Sequence, residues 1–277
     1  MTPVEKAIWF IETRSARELM LDEIAEAAGV SRYHLARAFA TATGHSVIGY
    51  LRARRLTDAA RKLIDGAPDI LSVALDAGYG SHEAFTRAFR DQFGLTPEAV
   101  RSRRDVDTNA LVEPIRMDKS HKVDLAPPRF ENRKTLLVAG HGARYNFPNV
   151  EGIPAQWQRF SPHYGHVPNQ VEGAVYGVSH NFDDSGNFDY VAGVEVTSFD
   201  DIDKDFVRVR IPEQRYVVFL HSDHISAIPA THYAIWNKWL PESEHKAADG
   251  ISFELYDKRF DPQTGMGGVE IWIPVKA

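Results

Sequence analysis

Two stretches within the first hundred residues repeat one another. Ser31, Leu35, Arg37, Ala38, Phe39 and Gly44 recur as Ser81, Phe85, Arg87, Ala88, Phe89 and Gly94, each pair 50 positions apart. Upstream, Ile24, Ala25, Ala28 and Gly29 match Val73, Ala74, Ala77 and Gly78 at an offset of 49, so the second copy carries one extra turn residue. Each copy reads as a short apolar helix stopped by Gly, then a Ser able to cap the next helix, then apolar residues four and eight positions beyond that Ser. This is the pattern of a helix-turn-helix, and two of them point to a DNA reader.

The rest of the chain has room for a second unit. It has 277 residues, 43% hydrophobic and 25% charged, which is ordinary for a globular protein of two domains. With no Cys, disulfides and thiolate metal sites are excluded. The apolar run Ala7 to Ile11 is too short for a membrane span or a signal-peptide core and is flanked by charge. A cytoplasmic protein with no membrane partner is expected.

Charge divides unevenly. Residues 1–105 hold 15 Lys plus Arg against 14 Asp plus Glu, whereas the remainder holds 17 against 24. Arg52, Arg54, Arg55, Arg61 and Lys62 cluster in one predicted helix, Ser46 to Ile64, and Arg101, Arg103 and Arg104 follow the second repeat. Local positive potential of this kind suits a phosphate backbone better than the near-neutral total suggests.

Residues Ser102 to Ala110 lack apolar periodicity and read as a linker centred on 106–110, after a unit spanning 1–105. Beyond it, over 111–277, the period changes from 3.6 to 2, with seven strand-like runs between Thr135 and Ile273 and helical stretches at Pro154 to Phe160 and Ala227 to Leu240. The expected fold class is multidomain: an all-α double helix-turn-helix followed by an α+β domain. The second domain also repeats. Gly193-Val194-Glu195-Val196 and Gly268-Val269-Glu270-Ile271 each close a hairpin preceded by a helix, giving a strand-helix-strand-strand unit twice. Glu195 and Glu270 are then expected at related positions about a pseudo-two-fold axis.

The phrases LDEIAEAAGVSRYHLARAF, GYLRARRLTDAARKLI and GYGSHEAFTRAFRDQFGLTPEAVR resemble the DNA-binding domain of AraC/XylS-family transcription regulators. From about Leu111 the chain, above all GISFELYDKRFDPQTGMGGVEIWIPVK, resembles the GyrI-like effector-binding domain fused to such regulators. The resemblance implies a bacterial regulator with double-stranded DNA, a small-molecule effector and RNA polymerase as partners. It also implies that the two helix-turn-helix units enter successive major grooves and that the effector lies between two repeats.

With Leu35 and Phe39 in the core, helical spacing is expected to expose Arg32, Tyr33, Ala36, Arg37 and Ala40. In related regulators the positions of Tyr33, Ala36 and Arg37 face the groove. Arg37 is the base-reading candidate, since Arg can grip guanine with two hydrogen bonds. In the second copy the exposed set is His82, Glu83, Thr86, Arg87 and Arg90. For a lone Arg a solvated surface charge is the ordinary reading, but the repetition of Arg37 as Arg87 favours DNA. The basic helix between them is expected to act as a spacer whose arginines position phosphates.

In the second domain, strand alternation places Glu270 and Trp272 on one face, an acid beside a ring that suits a cationic or amphipathic aromatic effector. Glu270 is expected to be a buried charge without compensation that a ligand would relieve, and the two domains are expected to have separate cores. Glu195 joins it through the repeat, Glu254 with Tyr256 forms a similar pair, and Trp157, Tyr176 and Trp236 are further lining candidates. The bland reading is that the acids face solvent and the aromatics fill the core. Twelve His residues suggest a metal, but without Cys or a firm ligand motif they read as ordinary histidines, and no cofactor or metal is expected. No nucleophile elbow, phosphate loop or dinucleotide fingerprint is present, so no enzyme is expected. The alternatives to a ligand-responsive regulator are hydrolysis of an electrophilic toxin, with Glu270 or Glu195 as general base, and sequestration of another protein.

Overall fold

The computed structural model describes residues 1–15, 17–115, 124–147 and 149–276. Helix α1 (Pro3–Arg14) begins in a reciprocal cap in which Glu5 N donates to Thr2 Oγ1 and Thr2 N to the Glu5 carboxylate. Helix α2 (Leu21–Ala28) ends at Gly29, whose φ of 76° is open chiefly to glycine. Helices α3 (Arg32–Thr43) and α6 (His82–Phe93) both start on the expected serines: His34 N donates to Ser31 Oγ and Ala84 N to Ser81 Oγ, each at 3.2 Å. Between them run α4 (Val47–Ile64) and α5 (Ile70–Asp76), and α7 (Pro97–Arg103) closes the bundle. The 18 residues of α4 make a rod of roughly 27 Å with one helix-turn-helix at each end. The second unit packs Phe85, Phe89 and Phe93 against Leu56, Leu63, Val73 and Val100. Val106 joins that cluster and Thr108–Ala110 forms a short helical turn, so the expected linker begins inside the packed unit.

The second domain is one eight-stranded sheet with the order β1-β6-β8-β7-β3-β4-β2-β5. Its elements in chain order are β1 (Arg129–Arg133), β2 (Leu136–Asn146), α8 (Ile153–Phe160), β3 (Gln170–His180), β4 (Asn187–Val196), β5 (Val207–Ile211) and β6 (Gln214–His221). There follow α9 (Ile228–Ala234), a π turn (Ile235–Trp239), a last helical turn (Leu240–Glu242), β7 (Ser252–Asp261) and β8 (Met266–Pro274). The repeated unit is therefore β2-α8-β3-β4 and β6-α9-β7-β8. The halves meet where β3 pairs antiparallel with β7, with Tyr176 opposite Leu255 and Gly177 opposite Glu254. Each half is completed by an edge strand from the other: β1 precedes β2 but pairs with β6, and β5 precedes β6 but pairs with β2. The alternation rule misses β1, since the segment RFENR is polar and largely exposed.

One face of the sheet buries Val138, Tyr176, Val191, Tyr216, Phe253 and Trp272. The other is covered by the helices. Phe160 of α8 packs on Ala192 and Val194. Ile235 and Trp236, beyond α9, belong with Val217, Phe219, Ile271 and Ile273 to a cluster that continues into Ile8, Ile24, Leu35, Phe39 and Tyr50 of the first helix-turn-helix. Separate cores are therefore not what the chain builds. The segment Ile228–Glu242 is apolar on two sides, one for the sheet and one for α3, and periodicity within a single helix cannot tell which neighbours share it.

Candidate effector site and DNA-reading faces

On the helix-covered face, the central strand β7 carries Glu254, whose side chain is 17% exposed. Tyr256 Oη donates to Glu254 Oε2 at 2.7 Å and Tyr190 Oη, from β4, donates to the same oxygen at 3.4 Å. The other oxygen lies 3.1 Å from His232 Nε2, on α9. From α8, Trp157 Nε1 donates to Tyr190 Oη at 3.0 Å, and the indole stands edge-on to the Tyr256 ring at 5.1 Å. Burial raises the Glu254 pKa, but the hydrogen bonds from His232, Tyr256 and Tyr190 outweigh it and hold the carboxyl below its ordinary value. The same burial, with the Glu254 charge nearby, pushes both tyrosine hydroxyls well above theirs, so both remain donors. The result is a lone carboxylate in an aromatic enclosure, answered by two neutral hydroxyls and one imidazole.

Glu270 and Glu195 lie on the opposite face and already have cations. Glu270 meets Arg129 Nη2 at 2.7 Å and Arg259 Nη2 at 2.6 Å, and it also accepts from Trp272 Nε1 at 3.1 Å. Burial opposes its ionised form, yet the hydrogen bonds from Arg129 and Arg259 win and keep its pKa low. The expectation that Glu270 is uncompensated is therefore corrected. The arginines come from β1 and from β7, neither of which alternation within β8 can place beside it. Glu195 is likewise held by Arg133 Nη2 at 3.0 Å and by Tyr176 Oη at 2.8 Å. Trp272 and Tyr176 are core residues of this face, 2% and 3% exposed. Trp236 is fully buried at the junction with α3, packed against Tyr33 and His34.

Of the sequence candidates, the structure brings together Glu254, its partner Tyr256 and Trp157, and adds Tyr190 and His232. His232 was recoverable. Ile153-Pro154-Ala155 and Ile228-Pro229-Ala230 repeat at an offset of 75, the same offset as Glu195 and Glu270, and this alignment sets His232 opposite Trp157.

The two recognition helices differ. On α6, His82, Glu83, Arg87 and Arg90 are exposed and Thr86 is half-buried, leaving that face open to a groove. On α3 only Arg32 is exposed; Tyr33 and Ala36 are half-buried, and Arg37 and Ala40 are buried. The expected exposure of this face is therefore corrected, because the second domain covers it. Arg37 Nη2 donates to Ser252 Oγ at 2.7 Å, and the guanidinium sits 4.1 Å from the Phe182 ring. Tyr33 packs edge-on to Phe182 and Trp236, and Ala36 lines a small cleft with Phe182, Asp184 and Gly186. The α4 arginines are also partly committed. Arg54 grips Glu12 with Nε at 3.0 Å and donates to the Val112 carbonyl, and Arg55 donates to the carbonyls of Ser15 and Arg17. These two brace α1 and the inter-domain segment, so the expectation that they position phosphates is corrected; Arg52 remains exposed.

Residues 126–276 match the family described as the GyrI-like small molecule binding domain. The chain belongs to the GyrI-like family. Residues 24–103 match a helix-turn-helix domain family. This AraC-type segment is 39% identical to the transcriptional regulator Rob of Salmonella typhimurium over 110 residues, 40% of this chain and 38% of Rob. It is 36% identical to the multiple antibiotic resistance protein MarA of Escherichia coli over 92 residues, 33% of this chain and 72% of MarA. The GyrI-like chain thus spans under two fifths of Rob while covering most of MarA. Among solved structures, one of a protein bound to tetraphenylphosphonium is similar over 55% of this chain at 18% identity, with a TM-score of 0.47.

Proposed function

We propose that this GyrI-like chain is a DNA-binding transcription regulator, read out through α6 and α3, whose effector is an aromatic or amphipathic organic cation held at Glu254. One observation carries the effector reading. Of the three acids singled out in the second domain, Glu254 alone is ionised and largely buried without an arginine partner, while Glu195 and Glu270 each have one or two. A buried carboxylate faced by rings offers a cation both Coulombic and cation–π attraction. RNA polymerase and a cytoplasmic setting belong to the same reading, supported by the AraC-type resemblance.

Hydrolysis of a toxin fits the site less well. Both Glu254 oxygens already accept from protein donors, which leaves little basicity for activating water. Calorimetric titration with tetraphenylphosphonium, a lipophilic aromatic cation, tests the assignment on wild type, Glu254→Gln and Glu270→Gln. The expected result is affinity lost at least about 30-fold in Glu254→Gln, equivalent to roughly 2 kcal/mol, and nearly retained in Glu270→Gln. The reverse order would move the site to the other face.

A further inference from the structure

Every α3 residue assigned to DNA reading faces the second domain. Arg32 pairs with Asp184 at 2.7 Å, Tyr33 and Arg37 pack on Phe182, and Ala36 lines a cleft with the same hairpin tip. Further bonds tie α3 to the second domain: the His34 side chain donates from Nε2 to the Trp236 carbonyl at 2.9 Å, and Asn237 Nδ2 donates to the Ala38 carbonyl at 3.1 Å. A helix reads DNA only by lying in the major groove, and a protein layer on its reading face shuts the groove out.

The contacts on that face resemble those a duplex makes. The Asp184 carboxylate offers Arg32 the anionic oxygens that a phosphate would, and the Ser252 hydroxyl accepts from Arg37 as a base edge would. Arg37 is nonetheless poorly matched in this seat. Among the described residues no carboxylate lies within ion-pair distance of it, and burial lowers its pKa against the pull of Tyr33 and Glu254. A buried guanidinium with one neutral hydroxyl acceptor has more to gain from a guanine or a phosphate than from where it rests.

We propose that the second domain and DNA are alternative partners of α3, with the β3–β4 hairpin tip at Phe182 and Asp184 as the latch and Arg37 as the residue exchanged between them. In the latched form α6 alone is free to read DNA, so the chain binds through half of its double motif. Release restores the second half. The latch also adjoins the effector site. Ser252 lies two residues before Glu254 on the same face of β7, so a cation arriving at Glu254 opposes the Arg37 guanidinium and favours release. This extension rests on the cation reading above, whereas the latch itself does not.

The latch is tested without any effector. The full chain, as wild type, Asp184→Asn and Phe182→Ala, is titrated onto a duplex that the wild-type chain selects from a random pool, and amide hydrogen exchange is followed in α3. Asp184 is exposed and its loss does not threaten the fold, which covers the case in which Phe182→Ala unfolds the hairpin. Both variants leave the DNA-facing residues intact. The expected result is DNA binding tightened about 5- to 30-fold, with faster exchange in α3. DNA affinity equal to or weaker than wild type in a folded Asp184→Asn would overturn the latch. Failure of tetraphenylphosphonium to bind would bear on Glu254 alone.

Discussion

Trp157 and His232, 75 residues apart, hold matching positions in the two halves of the GyrI-like domain, and both reach the Glu254 network. The first approaches from α8 through the Tyr190 hydroxyl and the second from α9 directly. Two repeats thus converge on one carboxylate. The asymmetry arises on the central strands, where the residue opposite Glu254 is Gly177, which has no side chain. A symmetric pair of acids would repel one another; a single acid under two helices makes a site for one positive charge.

From this arrangement Trp157→Ala is expected to remove the aromatic wall and the donor to Tyr190 together. Cation–π attraction in a partly desolvated site is about 1 to 2 kcal/mol, so tetraphenylphosphonium affinity should fall roughly 5- to 30-fold. Trp157 is half-buried, so the melting temperature should move little beside that loss. Paired titrations and thermal melts distinguish a ligand wall from a core residue: a large drop in melting temperature with unchanged affinity would make Trp157 core only.

Gly177 gives a steric test of the same site. A Cβ at this position would collide with the Tyr190 hydroxyl and stand 3.1 Å from Glu254 Oε2. Gly177→Ala should therefore push Tyr190 off the carboxylate. The expected outcome is cation binding weakened about tenfold or more, with a stability cost of about 1 to 3 kcal/mol from overpacking. Unchanged binding would mean that the Tyr190 hydroxyl is irrelevant to the ligand.

Acid should unfold the second domain through these same groups. Glu254 and Glu270 both have folded pKa values depressed below 4.5, as do Asp183, Asp189 and Asp257 below 3.8. A depressed carboxylate contributes stability that is present above its unfolded pKa and is lost as pH falls through the folded one. The melting temperature should therefore be level from neutral pH to about 5 and decline below about 4.5. Glu270→Gln should blunt the decline, since it removes one titrating group; a curve identical to wild type would show that its arginine contacts contribute nothing measurable.

Local rules made much of the fold legible. Ser31 and Ser81 cap their helices, Gly29 and Gly44 stop theirs, and alternation located seven of the eight strands, because each signal lies within a few residues of its effect. The site was only half legible. Glu254 with Tyr256 was visible as a strand pair, but so was Glu270 with Trp272, and alternation says which residues share a face without saying what meets them. The arginines that neutralise Glu270 come from β1, a polar strand with no alternation, and from β7. The burial of Arg37 has a related cause: helical spacing turns it away from Leu35, yet the face it turns to is occupied by a hairpin about 150 residues further along the chain. Long-range packing of that kind leaves no local periodic mark.

Among the described residues nothing covers the exposed face of α6, and this sets the last expectation. Arg87 recurs from Arg37 in the motif, lies exposed beside His82, Glu83 and Arg90, and no described carboxylate pairs with it. Arg87→Ala should cost about 1 to 3 kcal/mol of DNA affinity and relax preference at a single base pair if the guanidinium grips a guanine edge. Arg52, exposed on the spacer helix, should instead weaken all sequences alike when replaced by Ala and lower the salt slope by about 1. Binding measured across a randomised duplex at two or more salt concentrations separates the outcomes. A uniform loss with a shallower salt slope in both variants would make Arg87 a phosphate contact, leaving His82 and Glu83 as the base readers of this helix.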